Sequence, residues 1–132
     1  MVNTRIIEQP ATFKATPHAV YELLMDSAEH ARFSGAEASI SREIGGAFTA
    51  YDGALSGTNI ELVQDAKIVQ SWRAGDWPEG HYSTATFLLE ESEGATLLTF
   101  TQTGVPEQHY DGISQGWQDF YWTKMALSLE SQ

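Results

Sequence analysis

A chain of 132 residues is most simply one domain, large enough to bury roughly two thirds of its unfolded surface. Eighteen acidic residues against seven basic ones leave a net charge of −11, so nucleic acid and anionic membrane surfaces are repelled partners. The chain has no cysteine, no apolar signal core in Met1 to Pro10 and no run approaching the ~20 apolar residues of a membrane span, which excludes disulfides and thiolate chemistry and leads to the expectation of a cytoplasmic protein without membrane insertion.

In chain order, Val2 to Ala15 reads as a first strand with Pro10 at an edge or bulge. Thr16-Pro17 is a helix start, a hydroxyl cap followed by proline in the first turn. The helix carries Val20, Leu23 and Leu24 as its apolar stripe. Asp26 with Glu29 resembles a capping box for a second short helix, Ser27 to Phe33, ended by Gly35. Six strands follow: Ala38 to Arg42, Ala47 to Asp52, Thr58 to Gln64, Lys67 to Arg73, Tyr82 to Glu90 and Ala95 to Thr103. Their connections, Gly45-Gly46, Gly53 to Gly57, Asp65-Ala66, Gly75 to Gly80 and Glu93-Gly94, carry the Gly and Asp chemistry of short turns and favour an antiparallel meander. From Asp111 to Glu130, the residues Ile113, Trp117, Phe120, Tyr121, Lys124 and Leu127 recur at helical spacing and predict one amphipathic helix of about five turns. Such a helix has to bury its stripe against one face of the sheet, and the space between them is where function is expected.

Several segments together resemble a known family. They are Thr16-Pro17-His18-Ala19-Val20-Tyr21-Glu22-Leu23-Leu24, Glu29-His30-Ala31-Arg32-Phe33, Gly45-Gly46-Ala47-Phe48 and Gly57-Thr58-Asn59-Ile60-Glu61-Leu62-Val63. They continue with Ile68-Val69-Gln70-Ser71-Trp72-Arg73, Gly80-His81-Tyr82-Ser83, Thr103-Gly104-Val105-Pro106 and Gly116-Trp117. In this order and spacing the chain resembles the activator of heat-shock protein 90 ATPase homologue family, within the START-like (SRPBCC) superfamily shared with birch-pollen-type allergens and polyketide cyclases. The resemblance covers essentially the whole chain and implies an α+β helix-grip fold. In that fold a curved antiparallel sheet of about seven strands wraps a long C-terminal helix, with two short helices after the first strand. Residues 1–132 then form a single START-like domain, with which the chain begins directly. Members include binders of apolar ligands, cyclases and a eukaryotic co-chaperone in which this domain is one part, so the resemblance speaks to fold before function.

Within that frame Phe48, Ile60, Trp72, Phe87, Trp117 and Tyr121 are the expected ligand-pocket residues, with Phe33 and Trp77 at the entrance. Trp72 shares a strand face with Ile68 and Gln70, while Trp117 and Tyr121 lie four apart on one helix face. For each of these three, core packing is the competing reading. Trp77 sits in a glycine-bounded loop whose geometry does not need a large apolar side chain. His18, His30, His81 and His109 have no metal-ligand spacing, and no serine stands in a Gly-x-Ser-x-Gly elbow. Glu90 and Glu91 point to opposite strand faces, so no catalytic residue, metal or cofactor is assigned. Arg73 alternates away from Trp72 toward the surface, and Lys124 interrupts the apolar stripe as a snorkelling side chain.

A dry void of ~300 Å³ would cost on the order of 7 kcal/mol, close to a domain's whole stability of ~5–15 kcal/mol. A large cavity is therefore wet, ligand-filled or collapsed around aromatics, and four Trp, five Tyr and six Phe supply bulk for collapse. The expected function is non-catalytic binding of a small apolar or amphipathic molecule between helix and sheet. The alternative is a protein-interaction module regulating a chaperone or another ATPase; a cyclase-like enzyme is third, and a homodimer is compatible with the sequence.

Overall fold

The computed structural model of the chain describes residues 2–130. Strand β1 (Thr4–Phe13) leads into α1 (Pro17–Met25), where the Thr16 hydroxyl accepts from the Ala19 N–H at 3.2 Å. Asp26 caps α2 (Ser27–Ser34) in the same way through the Glu29 N–H at 2.9 Å, and Gly35 ends it in the left-handed region. Strands β2 (Ser39–Ile40), β3 (Ala47–Ala50), β4 (Leu55–Val63), β5 (Lys67–Ala74), β6 (Ser83–Ser92) and β7 (Ala95–Pro106) follow. All seven strands form one antiparallel sheet in the order β1-β7-β6-β5-β4-β3-β2. The meander expected from the short connections is thus present. Pro10 lies on β1, which pairs only with β7, so its missing N–H costs no ladder bond on the open side.

Strand ends shift from expectation throughout the sheet: β3 stops at Ala50 rather than Asp52, β6 runs to Ser92 and β7 to Pro106, and two further shifts bear on the site. β2 is two residues long rather than five, and Leu55 to Gly57 belong to β4 rather than to the preceding turn. Gly57 is inside the ladder, facing Phe48 on one side and Trp72 on the other. A Cβ there would fall 1.8 Å from the Ser71 carbonyl oxygen and 2.8 Å from the Phe48 ring. The glycine therefore marks a close backbone approach, not a turn.

One face of the sheet carries the core. Ile68, Gln70, Trp72 and Ala74 alternate inward on β5, Ser83, Ala85, Phe87 and Leu89 on β6, and Thr96, Leu98, Phe100 and Gln102 on β7. Against this face pack Val20, Leu23 and Leu24 of α1 and the C-terminal helix. That helix is continuous from Glu107 to Glu130 but not uniform. A 3₁₀ turn (Glu107–His109) and α3 (Tyr110–Gly116) lead into a π-helical segment (Trp117–Trp122), then α4 (Thr123–Glu130). Within the π segment the Thr123 N–H reaches back five residues to the Gln118 carbonyl.

The π segment overturns the expected stripe. Each i→i−5 bond takes in one residue more than an α turn, so the buried face slips along the sequence. Beyond Trp117 it continues through Tyr121, Trp122, Met125 and Leu129, whereas Phe120 is 51% and Leu127 62% exposed. Lys124 leaves the stripe too: its ammonium donates to the Ser34 carbonyl at 3.3 Å, closing the end of α2.

Two glycines test this account in opposite directions. Gly57→Ala drives a methyl into backbone and is expected to lose about 1–3 kcal/mol or more in chemical denaturation. Gly112→Ala, on an exposed turn of α3 with open space where Cβ would stand, is expected to gain up to about 1 kcal/mol. Equal midpoints for the two variants would contradict the placement of both.

Candidate functional site

Helix and sheet are tied at three places. At the centre, the Trp117 indole N–H donates to Gln102 Oε1 at 2.8 Å. Gln102 in turn donates to Ser83 Oγ at 2.9 Å, and Ser83 to the Trp72 carbonyl at 2.8 Å, all of it buried. At the β1 edge, Gln9 donates to the Ser114 carbonyl at 2.9 Å and accepts from the Trp122 indole at 2.7 Å. At the other side, the Tyr51 hydroxyl of the β3–β4 turn donates to the Phe120 carbonyl inside the π segment. Tyr51, Asp52 and Gly53 are three consecutive residues with positive φ (52°, 59° and 92°), so this turn holds backbone strain next to the helix.

The space between turn and helix is an apolar cleft of about 280 Å³. Tyr51, Ala54 and Leu55 form one wall; Gly112, Ile113, Gly116 and Phe120 form the other; Trp72, Trp117 and Tyr121 make the floor. Among the described residues no charged side chain lines it. Beneath the floor lies a second cavity of only about 20 Å³, the space of one water molecule, bounded by the same three rings with Phe48, Phe87, His30 and Gln70. The interior that the fold leaves open is therefore almost filled by its own aromatics. Trp117 alone sits 4.3 Å from Phe100, 4.6 Å from Tyr121, 5.3 Å from Trp72 and 5.5 Å from Trp122, centroid to centroid.

Of the residues expected from sequence, Trp72, Trp117 and Tyr121 line both spaces, and Phe48 and Phe87 line the inner one. Ile60 does neither. The register shift between Asn59 and Glu61 turns it outward, 49% exposed, while Asn59 occupies the interior. Phe33 and Trp77 are not at the entrance. Phe33 packs on His30 and Tyr121 at the end of α2. Trp77 is 3% exposed, its ring packed against Trp72, His81 and His109, and its carbonyl accepts from the Arg73 guanidinium at 2.9 Å. Arg73 is therefore a loop fastener rather than a free surface cation.

Sequence reasoning passed over Tyr51, Ala54, Leu55 and His30. The Asp52-Gly53 pair was the available signal that the turn sits at Tyr51, since Asp and Gly are among the residues that tolerate positive φ. His30 is 3% exposed, with Nε2 at 3.1 Å from the Tyr121 hydroxyl and Nδ1 without a partner in another residue. Burial pushes its pKa down to about 4, its own backbone acting weakly the other way. Burial also lifts Tyr51 to about 12 and Tyr121 further still, so these three groups are neutral near pH 7. Among the described residues no cluster of three His, Asp or Glu side chains could hold a metal ion.

A seven-stranded antiparallel sheet packed on a long C-terminal helix, with two short helices after β1, defines a helix-grip protein of the START-like class. The family model described as "Activator of Hsp90 ATPase homolog 1-like protein" matches residues 14–130, and the chain belongs to that family. The human "Activator of 90 kDa heat shock protein ATPase homolog 1" is 34% identical over 110 residues, 83% of this chain and 32% of that protein. A Schizosaccharomyces pombe protein with no function in its name is 33% identical over 92% of this chain and 36% of its own length. The chain thus spans about a third of the length of these curated relatives. Among solved structures, an HSP90 activator from Plasmodium falciparum aligns with TM-score 0.88 at 24% identity, covering 95% of this chain and 96% of that one. An Aha1 dimer from Colwellia psychrerythraea aligns with TM-score 0.81 at 20% identity, covering 96% of each.

His30 makes stability pH-dependent with a defined sign. Its folded pKa of about 4 lies below the ordinary ~6.5, so between these values the unfolded chain binds the extra proton. The contribution is full above about pH 6.5 and is lost as pH falls toward 4; from pH 7 to pH 5 the loss is about 2 kcal/mol. Urea midpoints for wild type and His30→Leu over that interval check it. An undiminished pH slope in His30→Leu would show that the loss comes from other groups.

Proposed function

We propose that this chain is a protein-interaction module acting on a chaperone-type ATPase, and that the cleft between the β3–β4 turn and the C-terminal helix takes an apolar side chain of the partner. One observation carries the reading. The interior is reduced to about 20 Å³ whereas the apolar cleft of about 280 Å³ opens outward, so the available binding area is at the surface. The strained Tyr51–Gly53 turn and the π segment, which face each other across it, are both features that concentrate at functional sites. Membership of the activator family and the names of the human and Plasmodium relatives supply the class of partner. The cytoplasmic location expected from the sequence is part of this proposal, and no helix among the described residues is long and apolar enough to cross a membrane.

A second reading is favoured by the floor of the cleft. Trp72, Trp117 and Tyr121 offer three ring surfaces to a small apolar or amphipathic molecule, and the volume lies near the lower end of ligand pockets, ~300–1,000 Å³. A cyclase-like activity is less supported, because His30 borders only the inner space and the titratable side chains on the outer cleft, Tyr51 and Tyr121, are neutral phenols near pH 7.

The test uses the intact chain with a purified HSP90-type chaperone. Added chain is expected to change ATP turnover, and Gly112→Leu, which puts a side chain on the cleft wall where there is open space, to weaken that effect at least about tenfold with no loss of melting temperature. Full stimulation by Gly112→Leu would remove the cleft from the mechanism. Native mass spectrometry of gently purified protein addresses the second reading: an adduct released on denaturation, and lost in Gly112→Leu, would favour it over the first.

A further inference from the structure

The loop between β2 and β3 is held more tightly than a connection requires. Asn59, 2% exposed on β4, donates from its side-chain amide to the Ser41 carbonyl at 2.7 Å and to the Glu43 carbonyl at 3.0 Å. Its side-chain oxygen accepts from Gln70 at 3.1 Å, so the amide is fixed from behind. The main chain repeats the hold: Gly45 N–H donates to the Asn59 carbonyl at 2.8 Å, and Asn59 N–H to the Gly46 carbonyl at 2.9 Å. Within the loop Glu43 N–H donates to Ser41 Oγ at 3.2 Å, and Arg42 pairs with Glu22 of α1.

Glu43 to Gly46 closes as a turn. Gly46 N–H donates to the Glu43 carbonyl at 3.0 Å and Gly45 has φ 84°, the arrangement of type II. Gly46 is needed as well, because a Cβ there would stand 1.9 Å from Ser41 Oγ. Ile44 takes the second position, where the turn asks for no apolar side chain. It is 65% exposed, and among the described residues no large apolar side chain is more so. Phe120 and Leu127 owe their exposure to the π segment, and Ile60 to the register shift beside Asn59. Ile44 has neither cause; it stands at the tip of a loop pinned to β4 and to α1.

We propose that Ile44 is a preorganised anchor that enters an apolar pocket on the chaperone-type ATPase. This rests on the interaction-module reading and gives the module a contact separate from the cleft. A single exposed isoleucine is ordinary; one whose backbone is fixed beforehand binds without the loss of loop freedom that weakens association. The tip offers alkyl surface, since Gly45 and Gly46 have no side chains and the Arg42 charge is met by Glu22. The matching pocket is therefore lined by carbon and takes a branched aliphatic side chain. Glu43, exposed at the first turn position, requires only that the rim tolerate a carboxylate. A second copy of this chain is the poorer occupant: its cleft is apolar, but two chains of −11 repel.

Ile44→Asp and Ile44→Ala in the intact chain test it, with Leu127→Asp as control because Leu127 is 62% exposed on the helix. All three are surface changes and are expected to melt within a few degrees of wild type. With a purified HSP90-type chaperone, Ile44→Asp is expected to weaken the effect on ATP turnover at least about tenfold, Ile44→Ala about three- to tenfold and Leu127→Asp less than about twofold. The Ile44→Ala loss is expected to be the same at about 50 and about 300 mM salt. In the free protein, the Ile44 and Gly45 amides are expected to show order parameters of about 0.85, like the strands, and values below about 0.6 overturn the preorganised anchor. Full activity of Ile44→Asp beside a weakened Gly112→Leu overturns this inference and leaves the module reading; the reverse pattern keeps the anchor and removes the cleft. An equal loss in Leu127→Asp also overturns it, since any exposed alkyl group would then serve. A concentration-dependent dimer abolished by Ile44→Asp assigns the anchor to a second copy and overturns the ATPase pocket. If added chain leaves ATP turnover unchanged, both readings fall.

Discussion

The indole of Trp117 is the constraint on which the rest of the structure depends. It brings a fully buried glutamine, Gln102, to the one donor able to satisfy it from the helix side, and Gln102 passes the restraint to Ser83 and the Trp72 carbonyl. A buried amide left unpaired costs about 1–3 kcal/mol, so the three polar residues are tolerable only as a completed chain. That chain fixes the rotation of the helix above β7 and β6. With the rotation set, Trp117 meets Phe100, Phe87 and Trp72 in tilted and edge-on contacts, geometries that ring quadrupoles favour.

The π segment follows from the same constraint. An α-helix running through Trp117 would turn Phe120 and Lys124 toward the sheet, a charge into an aromatic interior. The wider turn brings Tyr121 and Trp122 inward together instead, and Trp122 stacks on Trp117 at 21° while its indole finds Gln9 on β1. The helix is thereby held from the central strands and from one edge. Tyr51 supplies the hold on the opposite side, at the Phe120 carbonyl.

What was legible in the sequence and what was not divides along this line. Thr16-Pro17, Asp26 with Glu29, and Glu93-Gly94 each encode local geometry through chemistry a few residues long, and the structure uses them as expected. Period-two alternation likewise places Ile68, Trp72, Phe87 and Phe100 inward, because a strand with one buried face cannot slip by a residue without exposing its whole set. The helix register was not legible past Trp117. The spacing of Phe120, Lys124 and Leu127 satisfies an α period, and only the competition for the sheet face decides that Trp122, Met125 and Leu129 win it. Ile60 fails for a similar reason: counting back from the inward Leu62 places it inside, and one extra residue at Asn59–Glu61 reverses it. Trp77 was legible as an aromatic in an irregular loop but not as a buried one, since the rings that bury it, Trp72, His81 and His109, come from separate segments whose meeting no local pattern encodes.

The position of the cleft is a consequence of how completely the interior is filled. Rings from β5, β6, β7 and the π segment meet over the middle of the sheet and leave one water's volume beside His30 and Gln70. The same crowding cannot extend to the first turns of the helix, where Gly112 and Gly116 present no side chains, nor to the wall opposite, where Ala54 presents a methyl. Apolar surface from Trp72, Trp117 and Tyr121 is thus left facing outward where small residues and a strained turn keep the walls apart. Collapse would need Tyr51 to release the Phe120 carbonyl and the turn to leave its three positive-φ residues, which Asp52 opposes through two bonds to the Glu37 backbone. The surface opening is therefore held from both ends of the turn, by the Tyr51 bond to the helix and by the Asp52 bonds to Glu37.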